Sequence, residues 1–318
     1  MRAMSDDFDE FSFLAAQAAS IGVDGPLPRG ERLNLALPDG RTLSALRYGP
    51  TGTEAPVVTF LHGAGLNAHT WDTTILAMGV PALAIDLAGH GDSSWREDAA
   101  YVPRVLAPDV VAALRAWTDA PQVLVGQSLG ALTAAAVAAS TPELVREVVL
   151  IDITPGIDQN GNAAQLLAFF AGPTDWATRD DLVDKALAFG LGGSRDAATR
   201  GVYLNSRVRP DGRVEWKHHF AHLAAAAANA GPSTSSGTGQ NDAISAVLAE
   251  TGWDDLAAIA SPITFIRGDH GYVTGAEAEE FSRRVPTASI VVVPTGHNVQ
   301  EEIPSDLGRL LAEHVAQP

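Results

Sequence analysis

From Leu33 onward the chain alternates short, nearly uninterrupted apolar runs with segments of helical character. That alternation constrains the fold more than any other feature. The runs Val57–Leu61, Ala82–Ile85, Val123–Val125, Val148–Ile151, Ile263–Ile266 and Ile290–Val293 predict strands buried on both faces, the pattern of a parallel sheet. Between them Thr70–Met78, Arg104–Trp117, Leu129–Ala139, Gly275–Arg284 and Ser305–Val315 predict helices. Such βα alternation gives a parallel sheet with helices on both faces. Ahead of it, Leu33–Leu37 and Thr42–Tyr48, separated by Pro38-Asp39-Gly40, predict an antiparallel hairpin. The fold class is α/β with a mostly parallel sheet.

The alternation lapses between Thr154 and Ile259. Ala163–Phe170, Arg179–Ala188, Trp216–Asn229 and Asp242–Glu250 predict helices there, and no buried strand stands out. A helical insertion leaving after one sheet strand and returning at the next accounts for this. Inside it, Gly231–Gly239 is a Gly/Ser/Thr-rich loop. No Lys follows it and no strand–helix junction frames it, so it is not a phosphate cradle. The expected division is an N-terminal arm over 1–30, a core over 31–153 and 260–318, and the insertion over 154–259. In the arm, Met1-Arg2-Ala3-Met4 runs into Asp6, Asp7, Asp9 and Glu10, and the apolar stretch Phe11–Ile21 is broken by Ser12, Gln17 and Ser20. That is no secretory signal but a short amphipathic helix or a frayed arm, which implies a cytoplasmic location.

Composition narrows the chemistry. The 318 residues include no Cys, which excludes a thiolate nucleophile, a disulfide scaffold and a Cys-ligated metal. The net charge of -17 disfavours nucleic acid as a partner and favours small, uncharged substrates. No apolar run approaches ~18 residues, so no membrane span is expected. No motif implies a metal or a cofactor, and oligomeric state leaves no mark in the sequence.

Three segments carry the chemistry. Gly126-Gln127-Ser128-Leu129-Gly130 stands between the strand Val123–Val125 and the helix Leu129–Ala139. A serine on so tight a strand-to-helix turn is lifted above the sheet at the positive end of the helix, and its small neighbours let the turn close. His62-Gly63-Ala64-Gly65 follows the strand Val57–Leu61. Acyl transfer puts negative charge on a carbonyl oxygen, and two backbone N–H groups must already face it. The amide of Leu129 can supply one and that of Ala64 the other, with His62 tying the loop to neighbouring backbone. Pro294-Thr295-Gly296-His297-Asn298 follows the last strand. A serine hydroxyl needs an imidazole to take its proton, and His297 lies on the same rim of the sheet as Ser128. His218, His219 and His222 have a spacing that could bind metal, but without a zincin pattern they mark a partly buried or pocket-lining helix. The aromatics Phe169, Phe170, Trp176, Phe189, Tyr203, Trp216 and Phe220 are expected mostly in the core, some of them roofing a pocket over Ser128. Arg207 and Arg209 are cations that could meet a carboxylate.

Together these segments make the chain resemble the α/β-hydrolase fold family from about Leu33 to the C-terminus, with the insertion at the family's cap position. Ile85-Asp86-Leu87-Ala88-Gly89-His90-Gly91-Asp92-Ser93 also resembles the family's segment after its fourth strand, where Asp86 and His90 would be structural. The resemblance implies a triad in the order Ser, acid, His. It leaves two acids open. The usual place, after the strand that follows the cap, reads Arg267-Gly268-Asp269-His270-Gly271-Tyr272-Val273, with Gly271 where the acid is expected and Asp269 displaced. A minority of members carry the acid one strand earlier, where Asp152 stands, and position favours Asp152. The implied activity is a serine hydrolase acting on a carboxylic ester through an acyl-enzyme. Carbon–carbon bond hydrolase, lactonase and cofactor-free perhydrolase are alternatives on the same triad, and a non-catalytic ligand-binding protein is another. A serine at the turn argues against the dehalogenases and epoxide hydrolases of the family, which use aspartate there.

Overall fold

A computed structural model describes residues 9–157, 168–189, 194–230 and 252–316. Among the described residues eleven strands are present: β1 (Arg29–Ala36), β2 (Thr42–Gly49), β3 (Val58–Leu61), β4 (Ala82–Asp86), β5 (Gln122–Gln127), β6 (Val145–Ile151), β7 (Asp175–Trp176), β8 (Ser206–Val208), β9 (Val214–Trp216), β10 (Ile263–Gly268) and β11 (Ser289–Val293). Eight form one sheet in the order β1-β2-β4-β3-β5-β6-β10-β11. The run from β4 to β11 is parallel, and the β1–β2 hairpin lies antiparallel on its edge. The fold is thus the expected mostly parallel α/β arrangement.

Both faces of the sheet are covered because its central strands have no polar side. Val123 and Val125 pack on one face with α1 (Leu14–Ser20), α2 (Asp72–Met78) and the C-terminal helix, while Leu124 packs on the other with α3 (Pro103–Trp117) and α4 (Leu129–Ser140). Every residue of α4 from Leu129 to Ala138 is buried, as an apolar helix surrounded on all sides must be. The chain runs from β3 outward to β4 and then returns to β5 on the other side of β3. Parallel strands that diverge in this way leave a crevice at their carboxyl ends, where ligands bind in open α/β sheets.

Two expectations need correction. Ile290–Val293 is not buried on both faces: as β11 it is the edge strand, and Val292 is 57% exposed. Phe281, from the helix after β10, stacks over Phe265 of β10, leaving Ile290 and Val292 uncovered. The insertion is also not purely helical. With α5 (Arg179–Ala188) and α6 (Arg195–Asn205) it contains an antiparallel sheet, β7-β9-β8, around a small core of Leu182, Val183, Val202 and Trp216. Strands of two or three residues are too short to show alternation in sequence. The helix expected over Trp216–Asn229 accordingly starts later, as α7 (Phe220–Ala230), because Trp216 belongs to β9. The Gly231–Gly239 loop, the Asp242–Glu250 segment and most of Ala163–Phe170 lie outside the described residues. Of the two readings of the N-terminal apolar stretch, the helix is the one seen: Leu14 and Ala18 of α1 are buried against the sheet. No described helix is long and apolar enough to cross a membrane.

A partly buried charge chain fixes the N-terminal segment. Glu10 accepts from Arg32 Nε at 2.9 Å, and His69 lies between Glu10 Oε2 and Asp72 Oδ2 at 3.0 Å from each. Burial alone would lower the His69 pKa, but the two carboxylates raise it to about 9. The folded protein therefore binds this proton more tightly than the unfolded chain does. Its stabilising contribution is complete below the ordinary imidazole value near 6.5 and is lost as pH rises through about 9. Melting temperature is expected to fall between pH 7 and 9.5, and His69→Gln should flatten that decline. An equal decline in the variant would assign the pH dependence to other groups.

Candidate active site

Ser128 follows β5 without an intervening residue, at φ 54 and ψ -120, and Leu129 opens α4. Only close packing of the turn holds a side chain in that backbone region. A Cβ on Gly130 would lie 2.2 Å from the Leu61 carbonyl oxygen, and one on Gly126 would lie 2.3 Å from the Gly130 carbonyl oxygen. These are backbone atoms with no side chain to swing aside. Gly130→Ala is therefore expected to destabilise the fold by about 3 kcal/mol or more. Urea unfolding checks this, and wild-type stability in that variant would mean the turn is not closed as described.

The loop after β3 is a tight turn, with Leu66 N–H donating to the Gly63 carbonyl at 3.2 Å and Gly65 at φ 80. Positive φ at the third residue makes it a type II turn. His62 donates from Nδ1 to the same Gly63 carbonyl at 2.8 Å, and its Nε2 accepts from Leu87 N–H at 3.0 Å. Full burial pushes its pKa down, which keeps the ring neutral in that tautomer. The carbonyl and N–H of a trans peptide point opposite ways, so the two donors on Gly63 also aim the Ala64 N–H. Among the described residues the amides of Ala64 and Leu129 make no hydrogen bond. Asp86 and His90 are buried; Asp86 accepts from the amides of Ala68 and Asp92 and from Arg32.

The structure separates the two candidate acids. Asp152, at the end of β6 with φ 48, is fully buried and accepts from His297 Nδ1 at 2.8 Å. The amides of Gly268 and Tyr272 also donate to its carboxylate, at 3.1 and 2.7 Å. Asp269 instead pairs with His270 at the surface, half exposed. A Cβ on Gly271 would lie 2.2 Å from Asp152 Oδ2, so the Asp152 carboxylate fills the space a side chain at 271 would need.

Ser128 and His297 line one cavity of about 110 Å³, together with Ala64, Gly65, Leu66, Phe169, Phe189 and Tyr272. Two residues that sequence reasoning had not assigned a role shape it. Tyr272 stacks flat on the His297 ring, with centroids 3.6 Å apart and planes at 10°. Burial, and then the charge of Asp152, push its phenol pKa up, so it faces the imidazole as a neutral ring. Gln127 donates from Nε2 to the His297 carbonyl at 3.2 Å and ties the serine turn to the histidine loop. Gly296 N–H donates to Glu302 at 2.8 Å and anchors that loop from its other side. Tyr272 stands among the residues after β10, but stacking across loops leaves no trace in spacing.

The insertion's other candidates do not line that cavity. Phe170, Trp216 and Phe220 are buried, and His218 sits between Phe170 and Trp216. His219 stacks on Trp95, and His222 pairs with Glu215. Arg207 pairs with Glu215, and Arg209 pairs with Asp175 and Asp211.

Comparison with known proteins places this geometry. The model of the alpha/beta hydrolase family matches residues 60–308. The chain is 36% identical over 317 residues to the esterase Rv0045c of Mycobacterium tuberculosis, spanning 96% of each protein. It is 27% identical over 265 residues to the sn-1-specific diacylglycerol lipase ABHD11 of Mus musculus, covering 79% of this chain and 78% of that protein. A solved structure of the mycobacterial esterase superposes with a TM-score of 0.78 at 34% identity, over 98% of this chain and 100% of the other.

Proposed function

The chain belongs to the alpha/beta hydrolase family and is an esterase-like hydrolase, and on that premise we propose that it cleaves a carboxylic ester through an acyl-enzyme on Ser128. Ser128 Oγ attacks the ester carbonyl while His297 Nε2 takes its proton. Asp152 holds the imidazole through Nδ1 and stabilises the imidazolium that forms. The amides of Ala64 and Leu129 receive the developing oxyanion. Collapse expels the alcohol, which takes the proton from His297. Water, deprotonated by the same imidazole, then releases the acid and restores Ser128. One observation carries this reading: the 2.8 Å bond from His297 to a fully buried Asp152, on the cavity that Ser128 lines.

In this reading residues 31–153 and 260–318 are the core and 154–259 a cap, with Phe169 and Phe189 of the cap walling the cavity. A small cavity with aromatic walls, in a chain of net charge -17, suits uncharged acyl groups of short to medium length. A fluorophosphonate probe should label Ser128, and p-nitrophenyl esters should turn over fastest with short and medium chains. A lactone and a vinylogous diketone in the same panel separate the esterase from lactonase and carbon–carbon hydrolase chemistry. Absence of labelling together with tight reversible ligand binding would overturn catalysis in favour of a receptor.

A further inference from the structure

Reciprocal hydrogen bonds join the turn after β3 to the insertion. Asn205, the last residue of α6, donates from Nδ2 to the Gly65 carbonyl at 2.7 Å, across 140 positions of sequence. Asn67, just past the turn, donates from Nδ2 to the Leu204 carbonyl at 3.0 Å. Each side therefore gives one donor and one acceptor to the other. Phe170 of the insertion also packs on the turn, close enough that a Cβ on Gly65 would lie 2.7 Å from its ring.

The far side of the insertion is fastened as well. His219 N–H donates to the Gly89 carbonyl at 2.8 Å, Trp95 Nε1 donates to the Lys217 carbonyl at 2.7 Å, and Lys217 Nζ bonds Asp92 at 2.7 Å. Lys217 N–H donates to the Asn205 carbonyl at 2.9 Å, linking that anchor to the residue on the turn. Asn205 is thus held from behind while its amide presses on Gly65.

The turn itself has few other supports. His62 and Leu66 fix the Gly63 carbonyl at its entry, and Asn205 fixes the Gly65 carbonyl at its exit. Ala64 lies between these two fixed points; its N–H shares a peptide with the Gly63 carbonyl and, among the described residues, makes no hydrogen bond. Preorganised donors stabilise a developing charge only when they need not move to meet it. We infer that Asn205 is a positioning residue for the reaction: the insertion, through Asn205, holds the Ala64 amide in place for the oxyanion and does not serve only as a wall over the substrate. The inference rests on the acyl-enzyme reading above.

Asn205→Asp keeps the shape of the side chain but replaces the donor with an oxygen facing an oxygen. Asn67→Asp does the same to the reciprocal bond while keeping Oδ1, which accepts from His69 N–H. Both variants are assayed for kcat and KM on a p-nitrophenyl ester and for inhibition by an aryl trifluoromethyl ketone. With the ketone, Ser128 Oγ bonds the carbonyl carbon, its proton passes to His297, and the former carbonyl oxygen becomes an oxyanion. Asn205→Asp is expected to lower kcat roughly tenfold to a hundredfold, with KM within threefold and the ketone inhibition constant rising in parallel with the loss of kcat/KM. Asn67→Asp is expected to move the same quantities in the same direction by less. Full activity in Asn205→Asp overturns the inference, and so does lost activity with an unchanged ketone constant. If Asn205→Asp does not fold, unchanged kcat and ketone binding in Asn67→Asp overturn it. Wild-type protein that neither hydrolyses the ester nor binds the ketone overturns the acyl-enzyme reading instead.

Discussion

Ser128→Ala is expected to reduce kcat on an ester about 10⁶-fold, leaving KM within a few-fold of the wild-type value. The size follows from what remains. The amides of Ala64 and Leu129 and the cavity walls are untouched, so the substrate still binds and the carbonyl is still polarised. A residual acceleration of about 10³ over water is the usual contribution of such donors alone. Alanine holds the same backbone, because φ 54 at this position is imposed by Gly126 and Gly130 closing the turn and not by the hydroxyl. Loss of activity therefore does not imply loss of fold, and an unchanged circular dichroism spectrum and melting temperature are expected alongside it. Mass spectrometry after fluorophosphonate treatment should show the adduct on wild type and none on the variant. Turnover within tenfold of wild type would move the nucleophile to another residue.

The parts of this site that could be read from the sequence share one property: each sits within four residues of a strand's carboxyl end. Ser128 follows β5, and His62–Gly65 follows β3. Parallel strands put all those ends on one rim, so chain position alone brings the residues together. His297 was legible although β11 is an edge strand with Val292 exposed, because the β-branched run is apolar whether or not a helix covers it. The strands β7, β8 and β9 were hidden for a different reason: they are too short to show a period. Asn205 was hidden completely: an amide at a helix end has no preferred partner in sequence, and its acceptor lies 140 residues away. The acid was half legible. Asp152 and Asp269 each stand just past the end of a strand, β6 and its neighbour β10, and the sequence does not show that the Asp152 carboxylate takes the space at Gly271 and the bond from His297 while Asp269 faces solvent.

That distinction yields the second large effect. Asp152→Asn is expected to lower kcat about 10⁴-fold, the size found when a buried triad carboxylate becomes an amide and the imidazole loses its orienting acceptor. Part of the cost is local: the Gly268 and Tyr272 amides and His297 Nδ1 all donate to this one carboxylate, and an amide in its place turns an NH₂ toward at least one of them. Asp269→Ala, by contrast, removes only a half-exposed partner of His270 and should leave kcat within about twofold, since exposed pairs contribute little. Equal losses in the two variants would mean that the charge around the histidine loop matters more than the bond to Nδ1. A third variant tests the geometry directly. In an Asp152→Ala background, Gly271→Asp places its Cβ 2.2 to 2.5 Å from where the lost carboxylate stood. A side chain grown from that Cβ enters the vacated space beside His297 Nδ1, so the double variant should exceed Asp152→Ala in kcat by tenfold or more, the factor given by about 1.4 kcal/mol of recovered transition-state stabilisation. In the wild-type background the same Gly271→Asp forces two carboxylates into one space and should destabilise the fold, because like charges that close cannot both stay ionised. Recovery in the first background and damage in the second, measured by kcat and melting temperature on one pair of substitutions, would establish that one carboxylate position serves His297 and that either strand end can supply it.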